Sequence, residues 1–180
     1  MPVSSEDLWK RAVDFHGHAC PGLAIGFRMV MEASAFLGID RASEDEEFVC
    51  ITESDACCVD AAQAVLGCTL GKGNLLIKPR GKAAMSFFNR NTKRGCRVVW
   101  LGTGDQKLGR EEKIALLLSP ESSRFLTVSE VDSPIPAKGL LSQSLPCAKC
   151  GERTSEAMLK PYQGRLYCLE CWPDHSRILD

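Results

Sequence analysis

Cysteine and histidine carry the chemistry open to this 180-residue chain, which holds 10 Cys and 3 His, and spacing sorts the cysteines into two sets. In the later set, Cys147-Ala148-Lys149-Cys150 is followed, after seventeen residues, by Cys168-Leu169-Glu170-Cys171. Two residues between thiolates let one knuckle aim both sulfurs at one metal, and two knuckles complete the tetrahedral four-sulfur shell that zinc accepts. Iron meets the same geometry, so spacing leaves both metals open. Either would be structural, because protein fills every position. The charges around these cysteines cancel, with Lys149, Arg153 and Lys160 set against Glu152, Glu156 and Glu170. Such a segment is expected to dock on protein rather than on nucleic acid.

The earlier set holds six cysteines. Phe15-His16-Gly17-His18-Ala19-Cys20-Pro21-Gly22 contains two of the three histidines. In an extended segment alternate residues face the same way, so His16, His18 and Cys20 would converge on one point. Sulfur with imidazole suits zinc or another late transition metal. With Pro21 as the first helical residue, Cys20 becomes an N-cap, where unpaired backbone amides favour thiolate. The competing reading makes the histidines loop residues and Cys20 a small buried hydrophobe. In Glu53-Ser54-Asp55-Ala56-Cys57-Cys58-Val59-Asp60, Cys57 is expected in the first turn of a helix capped by Ser54 or Asp55. There it can add a second thiolate to His18 and Cys20, while Asp60, three residues on, orients a ligand or accepts a proton. Cys58 points elsewhere on that helix and packs. Taken alone, Cys57 and Asp60 also fit a core residue and a solvated carboxylate. Gly67-Cys68-Thr69-Leu70-Gly71-Lys72-Gly73-Asn74 fails as a phosphate loop, because Leu66 and Gly73 stand where glycine and Ser or Thr are required. Its glycines still permit close backbone approach, and Lys72 offers a cation to an anionic group; the alternative is a plain turn with a solvated lysine. Lys82, after Gly81, is a weaker candidate of that kind.

These residues need elements to hold them. Ser4 or Ser5 caps a helix to about Asp14, and a second helix runs from Pro21, with Leu23, Phe27, Val30 and Leu37 as its apolar stripe, to a stop at Gly38. Strands are expected over Phe48 to Thr52, Leu75 to Ile77, Ala83 to Phe88, Arg97 to Leu101 and Phe125 to Val131, with helices from Asp55 to Leu66 and Arg110 to Leu118. That order predicts an α+β core. Two prolines, a glycine and three serines between Asp132 and Ser144 mark a linker, which places a core domain at 1–143 and a four-cysteine finger at 144–180. So short a tail needs a metal staple. Gln163-Gly164 fits a hairpin turn and Cys168 to Cys171 the opening of a short terminal helix, as in a treble-clef finger. The formal charge of −1 gives no general attraction for polyanions, and no apolar run approaches the roughly 20 residues a membrane span needs. Without a basic and apolar leader at its start, the chain reads as cytoplasmic, where cysteines serve as ligands and working thiols more than as disulfides.

Together the four segments are recognisable. The core resembles the FmdE family, named for a component of molybdenum formylmethanofuran dehydrogenase, through Phe15-His16-Gly17-His18-Ala19-Cys20-Pro21-Gly22, Asp55-Ala56-Cys57 with Val59-Asp60-Ala61, Gly67-Cys68-Thr69 and Gly71-Lys72-Gly73-Asn74-Leu75, over residues 5 to about 130. The resemblance implies an α+β core that pairs as a homodimer, a cleft between the His-Gly-His loop and the Cys57 helix, and a C-terminal treble-clef zinc finger found in some members. It also implies one-carbon metabolism, since the dehydrogenase converts CO2 and methanofuran to formylmethanofuran, although members occur in organisms that make no methane. With it, the core site becomes a metal or reactive-thiol site of His18, Cys20 and Cys57, joined by His16, any second metal being of open identity with zinc among the candidates; Asp60 is the proton carrier and Lys72 the anion contact. Two functions follow. One is an accessory protein or subunit of a larger molybdenum or tungsten dehydrogenase complex. The other is a self-contained metal-dependent enzyme acting on a small anionic substrate. A metal-delivery or sensing protein is a weaker third, and whether the chain is an enzyme stays open.

Overall fold

The computed structural model describes residues 3–102, 107–139 and 141–173. The chain divides into two units, Met1–Gly139 and Leu140–Asp180. In the first, helix α1 (Ser5–His16) begins where the Ser4 hydroxyl accepts the Asp7 N–H and ends at Gly17, whose φ of 85° suits a residue without a Cβ. Helix α2 (Pro21–Leu37) begins at Cys20, whose Sγ accepts the Leu23 N–H at 3.3 Å, and ends at left-handed Gly38. Then follow β1 (Phe48–Thr52), α3 (Cys58–Leu66), β2 (Leu75–Ile77), β3 (Ala84–Asn89), β4 (Arg94–Trp100), α4 (Arg110–Leu118) and β5 (Leu126–Glu130). The sheet order is β2-β1-β3-β4-β5, with β1 and β2 parallel and every other pair antiparallel. The architecture is the expected α+β.

Register aligns the apolar side chains that α2 covers. Cys50, Phe87 and Cys96 pair across β1, β3 and β4, and Met85, Val98 and Val128 form the next row. Against these lie Leu23, Phe27 and Val30 of α2, the stripe read from the sequence, with the Phe27 ring edge-on to Trp9 of α1 at 5.4 Å between centroids. Helix α3 crosses α2 at Gly26 in backbone contact: a β-carbon there would fall 2.5 Å from Cys58 Cα and closer still to its carbonyl oxygen. Only glycine permits that approach.

Two boundaries differ from expectation with consequences for the site. Helix α3 starts at Cys58 rather than Asp55, because Thr52 and Ser54 turn their hydroxyls on the local backbone: Thr52 Oγ1 donates to the Ser54 carbonyl and accepts its N–H, and Ser54 Oγ accepts the Ala56 N–H. Helix α1 runs two residues further than expected and includes His16.

In the second unit, β6 (Ser144–Pro146) pairs with β7 (Arg153–Ser155), and β8 (Lys160–Tyr162) with β9 (Arg165–Tyr167). Gln163 and Gly164, both at positive φ, make the tight hairpin turn. Residues Cys168 to Trp172 form a turn in which the Cys168 carbonyl accepts the N–H groups of Cys171 and Trp172. The rest of the expected terminal helix falls at 174–180, outside the described residues. No helix among the described residues is long and apolar enough to cross a membrane.

Gly26→Ala is expected to lower stability by about 3 kcal/mol or more, since the opposing atoms are backbone; an unchanged melting temperature would refute the close crossing. The Ser43 hydroxyl and the backbone N–H groups of Glu47 and Asp45 hold the Glu47 carboxyl down at about 2. A depressed carboxyl stabilises the fold above its ordinary range and loses that contribution as pH falls from about 4.5 towards 2. Glu47→Gln should therefore flatten the acid limb of a pH-stability curve in that window.

Candidate metal centres

The core centre forms where two helix beginnings meet the end of a third. Cys20 caps α2, Cys57 caps α3 without donating or accepting a capping bond through its side chain, and His16 closes α1. One ligand atom from each lies within 4.8 Å of the others. Cys20 is buried and Cys57 open to solvent. His16 Nε2 faces Cys20 Sγ at 3.6 Å, while its Nδ1 is 2.6 Å from Asp60 Oδ2. Gln63 Nε2 donates to the other Asp60 oxygen at 3.0 Å, which fixes the carboxylate. This is the carboxylate–histidine pairing that sets ring orientation and leaves Nε2 as the donor for a metal. Gly22 lets Cys57 come close to α2, since a β-carbon there would lie 3.1 Å from the Cys57 β-carbon.

Electrostatics separate the two thiols. Burial opposes ionisation of Cys20, but the Leu23 N–H, His16 and Cys57 outweigh it and lower its pKa. Burial and the neighbouring Cys20 sulfur raise that of Cys57. His16 is raised, chiefly by its bond to Asp60. The two thiols are thus shifted in opposite directions, and a second thiolate beside the first calls for a cation.

Of the two histidines expected at the core site, the structure brings one to the thiols. His16, not His18, joins Cys20 and Cys57; His18 is exposed and stacks on the His16 ring at 4.6 Å. Alternation required an extended segment, and helix α1 continues through His16 before Gly17 reverses the chain. Cys58 is buried against Gly26 and takes no part. Lys72 is also displaced from its expected role: its Nζ donates to the Ser43 carbonyl at 2.9 Å and ties two loops together. A cavity of about 330 Å³ opens beside the cluster, lined by His16, Cys57 and Asp60 and by apolar Leu70, Leu75 and Ile77, without Lys72. A larger one, about 430 Å³, lies between α1 and the ends of α2 and α3 and contains no histidine or cysteine. Sequence reasoning assigned no role to Gln63, although i+3 spacing from Asp60 signals it, nor to Arg110, which donates to the Ala19 carbonyl at 2.6 Å from 91 residues away.

In the second unit the four sulfurs of Cys147, Cys150, Cys168 and Cys171 lie within 4.8 Å of one another. Gly151, at φ 76°, makes the turn after the first knuckle. Backbone N–H groups, first that of Cys150 and then those of Cys168 and Lys149, hold the Cys147 thiol down at about 6. Hydrogen bonding to the Cys168 sulfur pushes Cys171 up to about 12. The four sulfurs could hold one metal ion, and the set fits the four-cysteine shell of a small zinc finger.

Asp60→Asn is expected to weaken core metal binding about 10- to 100-fold and to leave the four-cysteine site unchanged, read by competition with a metal indicator. Equal affinity in both proteins would remove Asp60 from the site.

Comparison with known proteins places this geometry. The family described as "FmdE, Molybdenum formylmethanofuran dehydrogenase operon" matches residues 15–127, which contain the whole core centre. A protein of Archaeoglobus fulgidus named a probable S-adenosyl-L-methionine-binding protein is 40% identical over 112 residues, 61% of this chain; the chain spans only 31% of that relative's length. The crystal structure of a tungsten formylmethanofuran dehydrogenase FmdE-like protein from Syntrophus aciditrophicus superposes with a TM-score of 0.69 at 26% identity, covering 98% of this chain and 96% of that one. With its fold, its cysteine and histidine segments and more than half its length accounted for, the chain belongs to the FmdE family.

Proposed function

We propose that this protein is a metal-binding accessory component of a formylmethanofuran dehydrogenase-type molybdenum or tungsten system in one-carbon metabolism. The observation that carries the reading is the convergence of His16, Cys20 and Cys57 on one point, with Asp60 behind the imidazole and a cavity in front. The family's operon and the name of the structural neighbour support the setting. His16 Nε2 and the sulfurs of Cys20 and Cys57 would hold the core ion, zinc being the best match to two sulfurs and an imidazole. Zinc held by three protein ligands retains an open position and acts there as a Lewis acid. Asp60 keeps the imidazole oriented and accepts its Nδ1 proton. A second zinc closes the four-cysteine unit and serves structure and docking. Ten cysteines without a disulfide suit a cytoplasmic protein, and the family setting suits a homodimer within a larger complex.

The cavity beside the three ligands favours a second reading, a self-contained metal-dependent enzyme for a small anionic substrate. Co-purification with a molybdenum or tungsten enzyme supports the accessory role, and turnover by the isolated protein the enzyme. Exchangeable core metal without turnover points instead to metal delivery.

Elemental analysis of anaerobically purified full-length protein is expected to find two metals per chain. Cys57→Ser should lose one and Cys171→Ser the other. A single metal, kept by Cys57→Ser and lost by Cys171→Ser, would reduce the core centre to a thiol site.

A further inference from the structure

The walls of the cavity beside the core cluster fix the sign of what can enter it. Besides His16 and Cys57 they carry two carboxylates, Asp55 and Asp60, and neither lysine nor arginine. The two carboxylates differ in what they have left to offer. Asp60 gives one oxygen to His16 Nδ1 at 2.6 Å and the other to Gln63 Nε2 at 3.0 Å. Asp55 is exposed, and its side chain has no hydrogen bond or ion pair among the described residues. Two cations on other segments are committed to backbone, Lys72 to the Ser43 carbonyl at 2.9 Å and Arg110 to the Ala19 carbonyl at 2.6 Å, and neither lines the cavity. A dication held by two thiolates and a neutral imidazole carries no net charge, so the carboxylates decide the sign of the cleft. The same walls hold Leu70 and Ile77, large apolar side chains left 61% and 46% exposed.

Resting on the cleft assigned above, we infer that its ligand is a cation: an ammonium group received by Asp55, on a short apolar body that covers Leu70 and Ile77. Covering those two side chains is favourable in proportion to the area removed from water. Whatever covers them also strips water from Asp55 in the same cavity. Desolvating a carboxylate without a partner is costly, and an ammonium offsets that cost with a charge-assisted hydrogen bond. A neutral ligand would leave the cost in place, and an anion would add repulsion. The ligand class is therefore opposite in sign to the small anion of the enzyme reading, whose expected contact, Lys72, is bound elsewhere.

The test follows alkylation of Cys57 in full-length protein at low salt by two acrylamides, one bearing a trimethylammonium group and one a sulfonate. Mass spectrometry with peptide fragmentation separates Cys57 from Cys58. Each rate is divided by that of the same reagent with 2-mercaptoethanol, which removes intrinsic reactivity, and the ratio of the two cancels any change in thiol ionisation. The cationic-to-anionic ratio is expected to exceed one in the parent. In Asp55→Asn it should fall about fourfold, since one unit charge acting through water at about 10 Å changes each rate about twofold in opposite directions. Asp55→Asn breaks no side-chain contact among the described residues, so folding is preserved. The difference between the proteins should vanish near 1 M salt, where screening shortens to about 3 Å. Where bound metal shields Cys57 from both reagents, chelator-treated protein gives the ratio. A parent ratio of one or below, or equal ratios in variant and parent, overturns the cationic ligand and leaves the metal centre standing. A Cys57 that resists both reagents even after chelation overturns it by removing the open cleft, and the metal count of Cys57→Ser judges the centre independently.

Discussion

How closely the start of α3 can lie against α2 governs the core unit. At Gly26 the two helices meet through backbone atoms, and Cys58, the residue in that contact, directly follows Cys57. One turn nearer the start of α2, Gly22 gives the Cys57 β-carbon room to approach, and Cys20 stands at the cap. Both thiols therefore come to the starts of helices, where the Leu23 N–H favours the Cys20 thiolate while burial and the neighbouring sulfur oppose that of Cys57. Helix α2 also packs on β3 and β4, where Phe87, Cys96 and Val98 share its buried core.

The two sulfur clusters meet one electrostatic difficulty with different ligand counts. In each, one thiol is favoured as thiolate and a neighbour is disfavoured: Cys20 against Cys57 in the core, Cys147 against Cys171 in the second unit. A dication would resolve both, because it would stabilise each thiolate by direct bonding. The second unit offers four protein sulfurs, a closed shell whose natural consequence is folding of a segment too short to hold itself. The core offers three protein atoms beside a cavity, an arrangement that leaves room for something else to bind. Membership of the FmdE family accounts for the frame in which this happens and not for a reaction, since chemistry resides in sites and not in folds.

Much of this was legible without coordinates. The C-x-x-C pairs, the Gln163-Gly164 turn, the Pro21 helix start and the strand at Phe48–Thr52 are local patterns, and each depends on residues within a few positions of itself. Asp60 could be read as the orienting carboxylate from its spacing to Cys57. The choice between His16 and His18 could not be read, because it turned on whether the chain between Asp14 and Cys20 is helical or extended, and α1 packing against α3 carries the helix through His16. The role of Lys72 was equally hidden, since its partner Ser43 lies 29 residues away.

By itself the sequence determined the family, the α+β order of elements, the four-cysteine shell and the cysteines available to the core centre, all of which reside in residue type and short spacing. Only the tertiary structure decided which histidine lies against the two thiols, that Asp60 meets it from 44 residues away, and that Lys72 is turned onto the Ser43 carbonyl. The physical reason is that these outcomes depend on where one helix stops, how closely two backbones approach and which carbonyl a lysine is hydrogen-bonded to. Contacts between distant segments set all three, and no local pattern encodes them.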